Sequence, residues 1–236
     1  MSVALFLVTS LLLGMRHALD PDHVVAVSTL AAEERRLWPV ARLGFIWGLG
    51  HIVPLALLGI PVLLLRLELP AQLEQVVDLG VGVLLIALGV RTLWRLRQER
   101  MHIHLHNHDG HEHVHFHAHG QDMNHSPAHH RHTWDRRSLM TFAVGVVHGL
   151  AGSGAAAVLA LAAAPSVTGG VVYLLAFGAG TCLGMFAMTL FVAAPAMATI
   201  SRFGAMQFGV RMVSGLASVA LGAFMWFEIL PHLVGG

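Results

Sequence analysis

Two histidines and two aspartates lie within seven residues near the start of the chain, in a segment that is otherwise largely apolar. They are His17, Asp20, Asp22 and His23. Imidazole and carboxylate groups, with no thiolate beside them, suit borderline divalent cations such as Ni²⁺, Co²⁺ or Zn²⁺. On an unbroken helix His17 and His23 would lie about 240° apart and could not share an ion. Because Pro21 disrupts a helix, the sequence predicts a break at Asp20-Pro21 that brings both imidazoles to one pocket.

Two further histidines follow glycine-containing stretches in later apolar segments. His51 comes directly after Gly50, where small residues let helices approach closely. His148 begins a Gly-rich run that ends at Gly154, and glycine flexibility predicts a second broken helix there. The alternatives are an ion-pair network with Arg16 that holds the first break together, and a packing role for His51. We expect the following residues to form the metal site: His17, Asp20, Asp22, His23, His51 and His148.

The composition places these groups in a membrane. Of 236 residues, 56% are hydrophobic and only 11% are charged, whereas soluble domains average about 25% charged residues. A formal net charge of +1 excludes a charge-driven nucleic-acid binder, and the single Cys182 excludes a disulfide framework or a thiolate cage. Six apolar segments are each long enough to cross a bilayer. They cover residues 3–31, 40–65, 74–96, 138–164, 169–199 and 205–233.

An internal repeat organises the six segments. Gly14-Met-Arg-His17 matches Gly145-Val-Val-His148 at an offset of 131, and glycine patterns in the second and third spans of each half match in the same order. Three spans per half force the halves into opposite orientations, the plan of many secondary transporters. The sequence therefore predicts an all-α polytopic membrane protein with six helices in a 3+3 inverted repeat, its first and fourth helices broken. The expected units are residues 1–97, the connection 98–137, and residues 138–236.

The arginines predict the orientation. If the spans alternate, ten arginines fall on the side of the 98–137 connection and only Arg66 falls on the other side. The positive-inside rule makes the arginine-rich side cytoplasmic. We expect a multi-pass protein of the plasma (inner) membrane with a cytoplasmic connection and both termini outside.

The connection itself is rich in histidine, with 13 of the 18 histidines of the chain between His102 and His132. Histidines alternate with other residues on both sides of Asp109-Gly110, a two-residue hairpin signal. The sequence predicts a β-hairpin over residues 101–119 that pairs positions summing to 219 and acts as a metal buffer; a disordered tract with incidental metal affinity is the alternative. The expected loop ligands are His102, His104, His106, His108, His111, His113, His115 and His117.

The first motif carries a family resemblance. Arg-His-Ala-Leu-Asp-Pro-Asp-His, residues 16–23, resembles the signature helix of the nickel–cobalt transporter family, and Gly50-His51 is similar to its second motif. The resemblance implies a secondary permease for Ni²⁺ or Co²⁺ in which His17, Asp22 and His23 are essential. In the second half, residues 148–154 replace a family motif that contains Asp, Thr and Glu. This departure looks more like the shorter urease-accessory-type nickel permeases.

Uptake is the expected direction of transport, with a nickel or cobalt efflux permease as the alternative. An intramembrane serine protease is a candidate from another class, because Gly152-Ser153-Gly154 resembles the Gly-x-Ser context of rhomboid-type enzymes. His148, however, lies five residues upstream and about 140° around a helix, which is poor geometry for a base. A membrane metal sensor is the third candidate. We expect no enzyme activity and no catalytic cofactor; the expected partners are the transported ion, the bilayer, and a cytoplasmic metal acceptor or metalloenzyme maturation protein.

Overall fold

A computed structural model describes residues 3–32, 36–67, 70–98, 101–108, 111–118, 136–164, 166–200 and 204–234, and for the two strands it describes the backbone alone. Eight α-helices account for most of these residues. A π-helical segment, Leu55–Gly59, joins the third helix to the fourth. The elements are α1 Val3–His17, α2 Pro21–Ala31, α3 Leu37–Pro54, α4 Ile60–Leu65, α5 Ala71–Gln98, β1 Met101–His108, β2 His111–Ala118, α6 Arg136–Ala163, α7 Val167–Ile200 and α8 Gly204–Val234.

Four helical stretches among the described residues are long and apolar enough to cross a membrane. Helices α1 and α2 form a fifth candidate if the pair, bent by 60°, is one span. The body of the protein is therefore a helical membrane bundle, as the composition predicts. The four unbroken candidates are Leu37–Leu65, Gln72–Gln98, Val167–Val192 and Gln207–Leu233.

The break in the first span falls where the sequence predicts it. Helix α1 ends at His17, and α2 begins with Pro21 as its first residue. Asp20, between them, has extended backbone angles (φ −61°, ψ 145°), since a residue before proline is driven out of the helical region. Pro21 is tolerated at the start of α2 because the first amides of a helix have no intrahelical partner.

The predicted break in the fourth span is wrong. Helix α6 runs without interruption through His148 and the glycines that follow it. Glycine permits a break but keeps its amide hydrogen, so it does not impose one as proline does. At two positions the missing side chain serves packing instead. A Cβ atom at Gly145 would overlap the carbonyl oxygen of Trp47, and one at Gly149 would overlap that of His51. Helices α3 and α6 thus lie backbone to backbone beside the histidines.

Two other helix pairs pack equally closely. Helix α1 lies against α7, where a Cβ atom at Gly14 would overlap the carbonyl oxygen of Phe177. Helix α5 lies antiparallel to α8, and its Gly82 and Gly89 meet the α8 backbone. The Ser218 hydroxyl of α8 donates a 2.7 Å hydrogen bond to the carbonyl of Leu85. Small residues at these contacts are what packing in a membrane requires, because apolar side chains gain little by leaving lipid.

An apolar core surrounds the bend. Trp47 and Met185 are at most 1% exposed, and with Ala18 they form part of a cluster that joins α3, α7 and the link between α1 and α2. A second cluster around Leu63 and Leu174 fills the space among α4, α6 and α7. The two cores fix α3 and α7 at the centre of the bundle.

Between α5 and α6, strands β1 and β2 form an antiparallel pair. Its register aligns His102 with His117, and His108 with His111. Every facing pair has residue numbers that sum to 219. The proposed turn, Asp109-Gly110, and His119 lie outside the described residues.

Candidate metal centre

Three histidines from three helical segments meet at the bend. His17 ends α1, His23 lies in the first turn of α2, and their ring centroids are 4.8 Å apart. His51, in the last turn of α3, lies 5.3 Å from the ring of His17 and 5.2 Å from that of His23. One ring nitrogen from each histidine lies within 4.8 Å of the corresponding nitrogens of the other two. The break brings together imidazoles that a straight helix would hold apart.

A carboxylate lies behind each of the two histidines at the bend. Asp20 Oδ2 is 2.7 Å from Nδ1 of His17, and Asp22 Oδ1 is 3.1 Å from Nδ1 of His23. An ionised carboxylate only accepts hydrogen bonds, so each Nδ1 carries the hydrogen and donates it. Each Nε2 is then left with its lone pair. Carboxylates in this position orient metal-binding histidines and raise their basicity.

Each histidine of the cluster has a buried ring nitrogen without a hydrogen bond to the described residues. Nε2 of His17, Nε2 of His23 and Nδ1 of His51 are buried and have no hydrogen-bond partner among the described residues. A buried polar atom without a partner costs about 1–3 kcal/mol. Three such nitrogens in one cluster of histidines have the donor chemistry of a site for a shared cation that accepts nitrogen lone pairs.

The side chains of this group and its neighbours differ in exposure. His23 and His51 are each 2% exposed, whereas the side chains of His17, Asp22 and Asp20 are 20%, 24% and 49% exposed. The partly exposed side chains at the bend are therefore those of His17 and the two aspartates.

The fourth predicted intramembrane histidine, His148, is a neighbour of this group rather than a member of it. Its ring lies 5.2 Å from that of His23, and its Nε2 lies 3.7 Å from Asp22 Oδ2. It is 1% exposed, and neither ring nitrogen has a hydrogen-bond partner among the described residues. Asp22 thus lies between His23 and His148, with one oxygen toward each.

Sequence reasoning gave Trp47 no place in the site. Its indole ring stacks on His23 at 5.9 Å with an interplanar angle of 15°, and meets His148 edge-on at 5.3 Å. Trp47 precedes His51 by four residues, so the two share one face of α3. That spacing was the signal available in the sequence. The side chains of the loop histidines and of Ser153 lie outside the described part of the chain.

Comparison with known proteins places this geometry in a family. The chain is 30% identical over 183 residues to the urease accessory protein UreH of Bacillus sp. (strain TB-90), covering 78% of this chain and 74% of the relative. The chain belongs to the nickel/cobalt transporter family. Membership confirms the family resemblance predicted from the sequence and assigns the protein to membrane metal transport rather than enzyme catalysis.

Two plant proteins are also similar. The chain is 26% identical over 91% of its length to the chloroplast proteins FOR GROWTH AND FERTILITY 1 and 2 of Arabidopsis thaliana. It spans 56% and 54% of their lengths, about half of each. No family model and no solved structure matches the chain.

Proposed function

We propose that the protein is a secondary permease that takes up nickel, and that the ion crosses the membrane through His17, His23 and His51. The observation that carries this proposal is the convergence of three buried, unpartnered imidazole nitrogens at the break of a membrane helix. A cluster of this kind in a bilayer is expensive to insert and marks a pathway for ions. Imidazole ligands favour Ni²⁺ and Co²⁺ over Mg²⁺ or Ca²⁺, so cobalt is the second cargo we propose.

Asp20 and Asp22 act on the ion through the histidines in this proposal. Their oxygens are hydrogen-bonded to Nδ1 of His17 and of His23, which leaves Nε2 of each ring for the ion. Asp22 has a second part to play, because its other oxygen faces His148. An ion that leaves the three histidines finds an oxygen and a further imidazole ligand one step away, and we assign His148 to that step.

An acidic approach supports entry from the side of the bend. Asp78 of α5 is half-buried and lies within electrostatic range of Glu74, one turn earlier on the same helix, and of Asp22. Carboxylates along a low-dielectric channel raise the local concentration of divalent cations. Glu74 and Asp78 would therefore supply the site.

The inverted repeat also belongs to this proposal, with α6 as the sixth span. The offset between the halves is 131 in the first spans and 130 in the second spans. With these offsets the contact of Gly14 with Phe177 in α7 corresponds to that of Gly145 with Trp47 in α3. Helices α5 and α8 correspond to each other, with Gly82 equivalent to Gly215 and Gly89 equivalent to Gly222. The contact of Gly82 with Gly222 is therefore equivalent to the contact of Gly89 with Gly215. These equivalent contacts support a two-fold relation between the halves.

The halves differ in the chemistry they contribute. The position that corresponds to His51 is Thr181, whose hydroxyl donates to the carbonyl of Phe177 in its own helix. His148 corresponds to His17. The second half therefore brings one histidine where the first brings three, which accounts for a single main site on one side of the pseudo-symmetry axis.

We propose that the 98–137 connection is cytoplasmic and that both termini face outward, on the arginine distribution. A buffer of metal-binding histidines on that side would hold ions delivered by uptake for a metal acceptor or a metalloenzyme maturation protein. The name of the Bacillus relative connects that protein to urease, a link that favours nickel as the cargo here.

The paired strands β1 and β2 support the buffer. Four cross-strand pairs match histidine with histidine, from His102 with His117 to His108 with His111. Facing positions in an antiparallel pair have Cβ atoms about 4.5–5.5 Å apart, close enough for two imidazoles to share an ion. We expect deletion of residues 102–132 to reduce nickel accumulation without abolishing it, as measured in cells that express the shortened chain.

Uptake of radioactive nickel by cells that express the protein tests the direction of transport. We expect accumulation above that of cells with an empty vector, and we expect it to vanish in the His17→Ala and His51→Ala variants. A nickel content lower than in control cells would establish efflux instead. Full nickel accumulation by both variants at limiting metal would contradict the proposal that the ion crosses through the histidines at the bend.

A further inference from the structure

Trp47 packs against two histidines of the metal site. Its indole is 1% exposed, stacks on His23 and meets the edge of His148. It therefore covers two of the three buried histidines, His23 and His148, at once. Its Nε1 has no hydrogen-bond partner among the described residues, so no hydrogen bond from the indole nitrogen fixes the ring in this place.

A small apolar cavity lies next to the same indole. Its lining comes from α2, α3 and α7, toward the end of the bundle where α2 ends and α3 begins. Besides Trp47 the lining residues are Val27, Leu30, Ala31, Val40, Leu43, Gly44 and Thr189. Trp47 is thus the side chain shared by the histidine cluster and this cavity. From Trp47 to the start of α3 at Leu37 the helix rises about 15 Å, roughly half of the hydrocarbon core.

The helix that forms one wall of the cavity is short and attached at a bend. Helix α2 has 11 residues and joins α1 through residues 18–20, which are not helical. Polar contacts with α6 and α8 hold its far end. Arg137 Nη2 donates to the carbonyl of Leu30 at 3.3 Å. The Thr29 hydroxyl donates to the carbonyl of Val25 in its own helix at 2.8 Å and lies 3.2 Å from the carbonyl of Ser214.

We propose that Trp47 closes the metal site toward the α2–α3 end of the bundle, and that the ion leaves through the cavity when α2 moves about the bend. This proposal rests on the proposed function and identifies Trp47 as the barrier to the ion within the membrane. The partly exposed side chains of His17, Asp20 and Asp22 leave the site accessible at the bend. Toward the α2–α3 end, the indole seals it in this proposal. Movement of α2 carries His23 off the face of the indole and joins the site to the cavity.

A cysteine at Val27, in a Cys182→Ser background, reports on the seal. A small charged thiosulfonate is added to oriented proteoliposomes from the side of residue 68. In the parent background we expect slow modification of Val27→Cys, because Trp47 blocks the route from the histidines. In a Trp47→Ala background we expect modification at least 10-fold faster, whereas Trp47→Phe keeps a flat ring and keeps the protection. Equal rates in the Trp47 and Trp47→Ala backgrounds would overturn the proposal.

Nickel binding and accumulation separate a barrier from a structural role. We expect purified Trp47→Ala protein to bind Ni²⁺, while accumulation against a gradient falls because the site is open at both ends. If Trp47→Ala does not fold, Trp47→Leu takes its place in the labelling, and unchanged protection with normal transport in that variant would also contradict the proposal. Ni²⁺ binding by His17→Ala at parental affinity would refute the proposed function instead, whatever the labelling shows.

Discussion

The hydrogen bond between Asp20 and His17 offers a measurable test of how the site is built. Asp20 Oδ2 accepts from His17 Nδ1 at 2.7 Å. In Asp20→Asn the charged acceptor becomes a neutral one, and charge-assisted bonds are about twice as strong as neutral ones. Changes of this kind behind a metal ligand weaken metal affinity by about 10–100-fold. Because the Asp20 side chain is 49% exposed and water screens its charge, we expect the lower end, about 10-fold or about 1.4 kcal/mol.

Titration calorimetry of Ni²⁺ into detergent-purified protein that lacks residues 102–132 measures this change without binding by the loop histidines. Glu228→Gln is the matched control, since it makes the same carboxylate-to-amide change at an exposed position of α8. We expect its nickel affinity to equal that of the parent, and His17→Ala to lose far more than Asp20→Asn. Parental affinity in Asp20→Asn would show that the carboxylate does not orient the ligand and would refute the reasoning.

Two further predictions address packing and orientation. Gly149→Val places a side chain against the α3 backbone, and overpacking of this kind costs about 1–3 kcal/mol of folding free energy. We therefore expect the Gly149→Val protein to unfold in detergent at a lower temperature than the Gly80→Val protein. Gly80 is the control because a Cβ atom there would meet nothing within 4 Å. The orientation is tested with single cysteines in a Cys182→Ser background and an impermeant thiol reagent added outside intact cells. We expect a cysteine at Glu68 to react and one at His111 to stay protected. Labelling of position 111 from outside would contradict a cytoplasmic buffer.

The bend that brings His17 and His23 together could be predicted from the sequence because a single proline causes it. Pro21 cannot continue the helix from His17, so the chain bends there and the two flanking histidines turn toward the same point. Four of the six predicted apolar spans, and a fifth as the bent pair of α1 and α2, are likewise helices long and apolar enough to cross a membrane, as their length and lack of charge predict. Residue type alone was sufficient in both cases.

The unbroken course of α6, the placement of the aspartates and the role of Trp47 depend on tertiary contacts that the amino-acid sequence does not show. The glycines near His148 are compatible with a break and with close packing, and only the position of α3 against Gly149 decides for packing. Asp20 and Asp22 suit metal binding by chemistry, yet their oxygens lie beside Nδ1 of the histidines. Trp47 belongs to the site because the ring of His23, from α2, stacks on its indole.

The central claim, that nickel crosses through the histidines at the bend, is tested most directly by flux of radioactive Ni²⁺ into proteoliposomes that contain the His23→Ala protein. His23 is 2% exposed and lies between His17, His51 and His148. With helicity and unfolding temperature equal to those of the parent, we expect flux to fall to the level of protein-free liposomes. Parental flux through folded His23→Ala protein would contradict the account.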